Sequence, residues 1–135
     1  LVHAQARAVR AGSRIPVLVT SPLDERVLGA AEALEAGDLV AMGALMAASH
    51  RSMRDDFAIT VPRIDALVAE LGALIGPEGG ARMTGGGFGG AAIALCPIEK
   101  ISDLTNSVYA EFELLGYARP DIFTVNAADG AARLI

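Results

Sequence analysis

The glycine-rich segment, residues 79–90 with the sequence GGARMTGGGFGG, limits what this chain can fold into more than any other stretch, because seven of its twelve residues are glycine. Glycine permits positive φ and lets main-chain N–H groups come close to another backbone or to a ligand. Successive N–H groups in such a turn can line a concave site for an anion. Two interpretations stay open: a tight hairpin between two strands, or a loop that approaches phosphate. The interspersed arginine, methionine, threonine and phenylalanine, which a flexible linker does not need, favour the second.

The glycines of this segment fit neither of two familiar phosphate-binding patterns. No Lys-Ser or Lys-Thr pair follows the last glycine, as a P-loop requires. Gly85, Gly87 and Gly90 satisfy the G-x-G-x-x-G spacing of dinucleotide-binding proteins. That fingerprint must open a helix, whereas the residues that follow here, AAIALCP, have the pattern of a strand.

Strand and helix patterns surround the glycine-rich segment. Short apolar runs predict strands at 15–20, 91–96 and 121–126, and a weaker one at 81–84. Apolar residues at helical spacing predict four helices. Ser21-Pro22 and Gly37 signal the start and stop of the first helix, and Asp38 signals the start of the second. Pro62 and Gly76 signal the start and stop of the third helix, and Gly116 signals the stop of the fourth. The order strand, three helices, strand, strand, helix, strand predicts an α+β fold. It fits a ferredoxin-like βαββαβ core with extra helices in the first crossover.

Charge and composition exclude several classes of protein. The net charge of −5 argues against binding to nucleic acid or to an anionic membrane, because phosphate contacts need a basic patch. No apolar run reaches the roughly 18–20 residues that a membrane span needs, and the first residues lack the apolar stretch of a signal peptide. The single cysteine, Cys96, excludes an intrachain disulfide, so we expect a reducing, cytoplasmic setting.

The length of 135 residues suits one domain and cannot hold a complete two-domain enzyme. The first residue is Leu rather than Met, which leads us to expect a piece of a longer protein. We place one domain at residues 15–135 and assign nothing to residues 1–14.

Outside the glycine-rich segment the candidate residues have simpler explanations. His50 lies on the apolar stripe of the second helix, so a core or cleft-wall histidine held by a hydrogen bond is favoured over a catalytic one. Asp55 and Asp56 could act as general acid and base, but a solvated helix end is the favoured interpretation. Asp65 falls in the first turn of the third helix, where a negative charge is favourable. No set of histidines and carboxylates has metal-ligand spacing, so we expect no metal site here.

Two motifs, in this order, resemble the galactokinases of the GHMP superfamily of small-molecule kinases. Residues 49–68, SHRSMRDDFAITVPRIDALV, are similar to a stretch in the C-terminal half of these enzymes, and residues 80–91, GARMTGGGFGGA, to their third signature motif. Residues 25–46 resemble the preceding helices, and the resemblance covers roughly residues 17–135. The chain departs from the family at Phe57, commonly Tyr, and at Ala91, commonly Cys.

The resemblance implies the ferredoxin-like C-terminal domain of a two-domain kinase that transfers the γ-phosphate of ATP to the anomeric hydroxyl of galactose. The phosphate loop, the Mg²⁺ ligands, the catalytic Asp and most sugar contacts would belong to the N-terminal domain. We therefore expect this chain alone to be inactive and to bind neither ATP nor Mg²⁺ tightly. Its partners would be that N-terminal domain and, through the whole enzyme, galactose and ATP, with no nucleic acid and no membrane. An exposed interface favours self-association of the isolated chain.

The resemblance also assigns site residues. Thr84 is the candidate for a hydroxyl contact near phosphate, Phe88 for packing in the domain interface, and Arg82 either pairs with phosphate or is solvated. The residues expected near the nucleotide or its phosphate loop are Gly80, Arg82, Thr84, Gly85, Gly86, Gly87, Phe88, Gly89 and Gly90. The residues expected to line the cleft are Ser49, His50, Ser52, Arg54 and Asp55.

Three alternatives to a galactokinase remain. A non-catalytic galactose sensor or regulator could use the same fold, and the residues that decide this would lie upstream. A related sugar 1-kinase, for N-acetylgalactosamine or arabinose, would share much of this half. A separate ferredoxin-like binding module with a chance glycine loop is disfavoured, because two motifs agree in order.

Overall fold

The computed structural model describes residues 22–125, so the strand predicted at 15–20 and the unassigned residues 1–14 lie outside the described residues. The described elements, in chain order, are α1 (Pro22–Ala36), α2 (Leu39–Asp55), α3 (Pro62–Ile75), β1 (Gly80–Thr84), β2 (Ala91–Leu95) and α4 (Ile101–Leu114). Short 3₁₀ turns follow α3 (Gly76–Glu78) and precede α4 (Ile98–Lys100). None of these helices is long and apolar enough to cross a membrane.

The helix boundaries follow the local signals in the sequence. The Asp38 side chain accepts a hydrogen bond from the N–H of Ala41 at 2.9 Å and so caps α2. α3 begins at Pro62, whose missing N–H costs nothing in the first turn, and ends at Gly76, which has a φ of 68°. The predicted start of α2 and the predicted start and stop of α3 are confirmed.

The two described strands form an antiparallel hairpin. Gly80 pairs with Leu95 at its open end and Thr84 pairs with Ala91 at its closed end. Residues 85–90 connect the strands, and we call them the glycine loop. The weak strand pattern before this loop is stabilised by burial, because Met83 is completely buried and Ala81 nearly so.

The core is aliphatic and lies between α3, α4 and β1. Ile75 and Met83 are its two most deeply buried large side chains. The buried members of the core cluster are Ile64, Val68, Leu71, Ile75, Ala81, Met83, Leu104, Val108 and Phe112. Phe112 is the one aromatic residue in that cluster, and its ring meets the Tyr117 ring edge to face at 5.7 Å.

α2 packs directly on the backbone of β1 at a contact made of glycines. A Cβ atom on Gly80 would lie 2.8 Å from the Cα of Gly43, and a Cβ atom on Gly43 would collide with the carbonyl oxygen of Gly79. Three glycines therefore let a helix and a strand approach to main-chain contact. This contact places the second half of α2, with His50, beside the strand that leads into the glycine loop.

The prediction of a strand at 121–126 is wrong for residues 121–125, which the structure describes. Residues 121–125 have no strand structure, and Phe123 and Val125 are 79% and 77% exposed. Their β-branched and aromatic composition suits a pleated surface, but a strand forms only where a neighbour supplies hydrogen-bond partners. Within residues 22–125 the sheet therefore has two strands. The predicted α+β class is confirmed, as helices around a small antiparallel sheet.

Candidate functional site

The glycine loop has a left-handed backbone through most of its length. Positive φ values occur at Gly85, Gly87, Phe88, Gly89 and Gly90, and Phe88 is the one residue among them with a side chain. Gly86 differs, because its φ lies outside that region and a Cβ atom there would meet nothing within 4 Å. Neither the local backbone nor packing within the described residues therefore explains the glycine at position 86.

The glycine loop is held on the turn between α2 and α3, residues 57–61. The Phe88 N–H donates a hydrogen bond to the Ile59 carbonyl at 2.7 Å, and a Cβ atom on Gly87 would lie 2.6 Å from the same oxygen. The side chain of Phe88 itself is 75% exposed. The loop thus rests with its backbone on Ile59 and presents an aromatic ring to the outside.

Several polar groups around the glycine loop have no partner in residues 22–125. Of the loop N–H groups, only that of Phe88 donates to a main-chain carbonyl there. The Thr84 hydroxyl, at the end of β1, has no hydrogen bond in this part of the chain. Arg63 has no ion pair there, and a Cβ atom on Gly89 would lie 3.1 Å from its Nη2. The Thr84 hydroxyl, the Arg63 cation and loop N–H groups that have no partner in residues 22–125 therefore lie at the glycine loop, and such donors suit an anion.

Arg82 makes its hydrogen bond within β1 itself. Its Nε donates to the carbonyl of Met83 at 2.9 Å, and the side chain is partly buried. Burial lowers the pKa of the Arg82 guanidinium, because it disfavours the charged form. The arginine is neither fully solvated nor placed against a carboxylate in the described residues.

His50 is a buried histidine that joins three elements. The N–H of Met83 in β1 donates to its Nδ1 at 3.2 Å, and its Nε2 lies 3.1 Å from Oδ1 of Asp65 in α3. Since Nδ1 accepts a hydrogen bond, it carries no proton, so the neutral ring bears its proton on Nε2 and donates it to Asp65. His50 is thus buried and held by hydrogen bonds, as expected of a core or cleft-wall histidine.

Burial lowers the pKa of His50, and Asp65 partly opposes this shift through its charge and hydrogen bond. The folded protein therefore binds the proton less readily than the unfolded chain, for which the ordinary value is 6.5. The stabilising contribution of the neutral ring is fully present above that value and is lost as the pH falls below it.

We expect the free energy of unfolding to decrease between pH 8 and pH 5, with a slope of at most about 1.4 kcal/mol per pH unit from this one site. His50→Gln should remove that decrease, whereas His3→Gln, which replaces the only other histidine, should retain it. Urea unfolding of the three proteins at several pH values measures this. An equal pH dependence in all three would contradict the assignment to His50.

The other predicted cleft residues lie in the last two turns of α2, and three of them form local hydrogen bonds. Ser52 donates to Oδ2 of Asp56 at 2.8 Å, and Arg54 binds both carboxylate oxygens of Asp55, at 2.7 and 3.0 Å. The hydrogen bond from Arg54 lowers the pKa of the exposed Asp55 carboxyl. This end of the helix is solvated, as the sequence predicts, while Ser49 is buried one turn earlier.

Asp65 and Thr60 are residues whose role the sequence did not reveal. Asp65 is explained at first by its place in the first turn of α3, but its carboxylate also receives hydrogen bonds from His50 and, at 3.1 Å, from the hydroxyl of Thr60. No spacing rule connects these three residues. Arg63 was also missed, because nothing in the sequence places it beside Gly89.

No three His, Cys, Asp or Glu side chains converge as a metal site within residues 22–125. Burial raises the pKa of the Cys96 thiol, which disfavours the reactive thiolate.

Comparison with known protein families identifies the family of this chain. The family model described as GHMP kinases C terminal matches residues 30–113, which is more than half of the chain. The matched range runs from within α1 almost to the end of α4. It therefore includes His50, the turn at 57–61 and the glycine loop.

Proposed function

This chain belongs to the GHMP kinases through their C-terminal domain, and on that premise we propose that it is the C-terminal domain of a galactokinase. The family is one of phosphotransferases. The finer assignment is supported by the two motifs at 49–68 and 80–91, which resemble those of galactokinases. The proposed reaction moves the γ-phosphate of ATP to the anomeric hydroxyl of galactose.

The observation that carries this proposal is the group of free donors on the glycine loop. Phosphoryl transfer depends mostly on positioning and on stabilising charge at the transferring group. Backbone N–H groups can do this without bulky side chains, and the Thr84 hydroxyl and the Arg63 cation stand beside them. We propose that these groups face the phosphates of ATP, or the loop that binds them, in an N-terminal domain of the same protein.

ATP supplies the phosphoryl group in this reaction, and Mg²⁺ neutralises charge on it. The glycine loop fits the phosphates, since it presents N–H donors and the Arg63 cation of α3 lies beside it. No acidic cluster in residues 22–125 suits Mg²⁺, so we assign the metal ligands to the N-terminal domain. The exposed ring of Phe88 is then suited to pack in the interface between the domains.

The test of substrate is an assay of the intact protein with ATP, Mg²⁺ and a panel of sugars. We expect galactose to be phosphorylated and the 135-residue chain alone to show no turnover. Turnover of N-acetylgalactosamine or arabinose, with none of galactose, would indicate a related sugar 1-kinase. Binding of galactose without turnover would indicate a sensor.

A substitution at Gly86 can test the function of the glycine loop without disturbing the packing of the fold. We expect Gly86→Ala to leave the melting temperature unchanged, since a Cβ atom meets nothing within 4 Å. In the intact kinase it should lower kcat/KM for ATP by about tenfold, because the methyl group would fill the space needed by the phosphates or their loop.

Gly87→Ala is the comparison, and it should lower both the melting temperature and the activity. Its φ is 87° and its Cβ atom would press on Ile59. Full activity in Gly86→Ala would show that the glycine loop does not approach the reacting groups.

A further inference from the structure

The glycine loop has two supports, and both are connected to His50. The first is β1, which leads into the loop and whose Met83 N–H donates to Nδ1 of the histidine. The second is the turn at 57–61, where the Ile59 carbonyl accepts from the Phe88 N–H. A single buried side chain therefore contacts, directly or through others, the structure on both sides of the loop.

The connection to the second support runs through α3. Nε2 of His50 contacts Oδ1 of Asp65, and Oδ2 of the same carboxylate accepts from the Thr60 hydroxyl, both at 3.1 Å. Thr60 follows Ile59 directly in the turn. Each link lies within hydrogen-bond distance, so the position of the ring is transmitted to the Ile59 carbonyl on which the loop rests.

Only the neutral ring can make both connections. A proton on Nδ1 would face the N–H of Met83, a buried donor that would lose its acceptor. The charged groups that face His50 are Asp65 on α3, Arg54 on its own helix and Arg82 on β1. The carboxylate favours the protonated ring, while the two arginines and burial oppose it.

We infer that His50 is a positioning residue for the glycine loop. Its neutral imidazole holds β1 through Met83, and it holds the turn at 57–61 through Asp65 and Thr60. A proton on Nδ1 breaks the bond to Met83 and so releases β1. The kinetic consequence rests on the proposed function of the loop in phosphoryl transfer. The structural consequence, a local loosening of the loop and its supports, does not.

Two substitutions separate the two connections. The side-chain oxygen of Asn can stand in for Nδ1, so His50→Asn keeps an acceptor for Met83 and loses the bond to Asp65. The side-chain NH₂ of Gln can stand in for Nε2, so His50→Gln keeps the bond to Asp65 and loses the acceptor. Thr60→Val cuts the far end of the second connection and leaves the ring untouched.

The experiment is amide hydrogen exchange of the intact protein, read at Met83 and Phe88, with Val108 in α4 as the reference. We expect His50→Gln to lower the protection of the Met83 amide by about tenfold, the cost of one unsatisfied buried donor. His50→Asn and Thr60→Val should spare Met83 and lower the protection of Phe88, and Val108 should stay unchanged throughout.

Kinase activity is the second readout. His50→Gln should lower kcat/KM for ATP more at pH 8, where the wild-type ring is neutral, than at an acidic pH at which the wild-type ring has taken up its proton. A uniform loss of protection that includes Val108, or no change at Met83 and Phe88, would overturn the inference. Local loosening with unchanged kinetics would support the positioning role and contradict the proposed function of the glycine loop.

Discussion

Gly43→Ala should lower the free energy of unfolding by about 3 kcal/mol, although alanine is normally the better residue inside a helix. The reason is the main-chain contact between α2 and β1, where a methyl group on Gly43 would collide with the carbonyl oxygen of Gly79. The backbone of Gly79 has little room to move away, because the Leu95 carbonyl lies close on its other side. A Cβ atom on Gly79 would collide with that carbonyl. The helix or the hairpin must therefore shift as a whole.

The control for this prediction is Gly72→Ala, the same substitution at an exposed position of α3. Nothing lies within 4 Å of a Cβ atom there, so the helix propensity of alanine should raise the free energy of unfolding by about 0.5–1 kcal/mol. Urea unfolding of the 135-residue chain and both variants measures the pair. A neutral Gly43→Ala would mean that α2 and β1 are farther apart than described.

Ile75→Ala should cost about 4 kcal/mol of the free energy of unfolding, a large share of the stability of a domain this size. Ile75 has no exposed surface and belongs to the core between α3, α4 and β1. Its carbonyl also accepts a hydrogen bond from Nζ of Lys100 at 2.8 Å, which keeps the end of α3 in place. Removing the side-chain atoms from the centre of this buried cluster should therefore leave a cavity.

Ile98→Ala is the matched control for that prediction, because it removes the same atoms from a side chain that is 83% exposed. We expect its effect to stay within about 0.5 kcal/mol. Thermal and urea unfolding should agree on the order of the two variants. Equal effects at positions 75 and 98 would contradict the core as described.

The helices could be predicted because their ends are decided by neighbours in the sequence. Asp38 bonds to a backbone N–H three residues ahead, and Gly76 provides the positive φ that ends α3. The same reasoning failed for residues 121–125. Their composition favours a strand, but pairing depends on which other segment lies alongside, and that is a tertiary property.

Part of the candidate site could be predicted from the sequence for a similar reason. The glycine-rich segment is one continuous motif, so its importance is visible without a fold. The hydrogen bonds of His50 connect residues 15 and 33 positions apart, and no periodicity brings such residues together. Asp65 therefore looked like a helix-start residue alone, and Arg63 showed no sign that it would stand beside Gly89.

The glycine contact between α2 and β1 has a consequence for the order of folding. The β1–β2 hairpin and the α1–α2 pair each join segments close in sequence, so closing them costs little chain entropy. The contact of Gly43 with Gly79 and Gly80 closes a much longer stretch of chain. It also needs both elements already formed, because only a finished helix and a finished strand can approach backbone to backbone. We therefore expect the hairpin to form early and α2 to dock on it late.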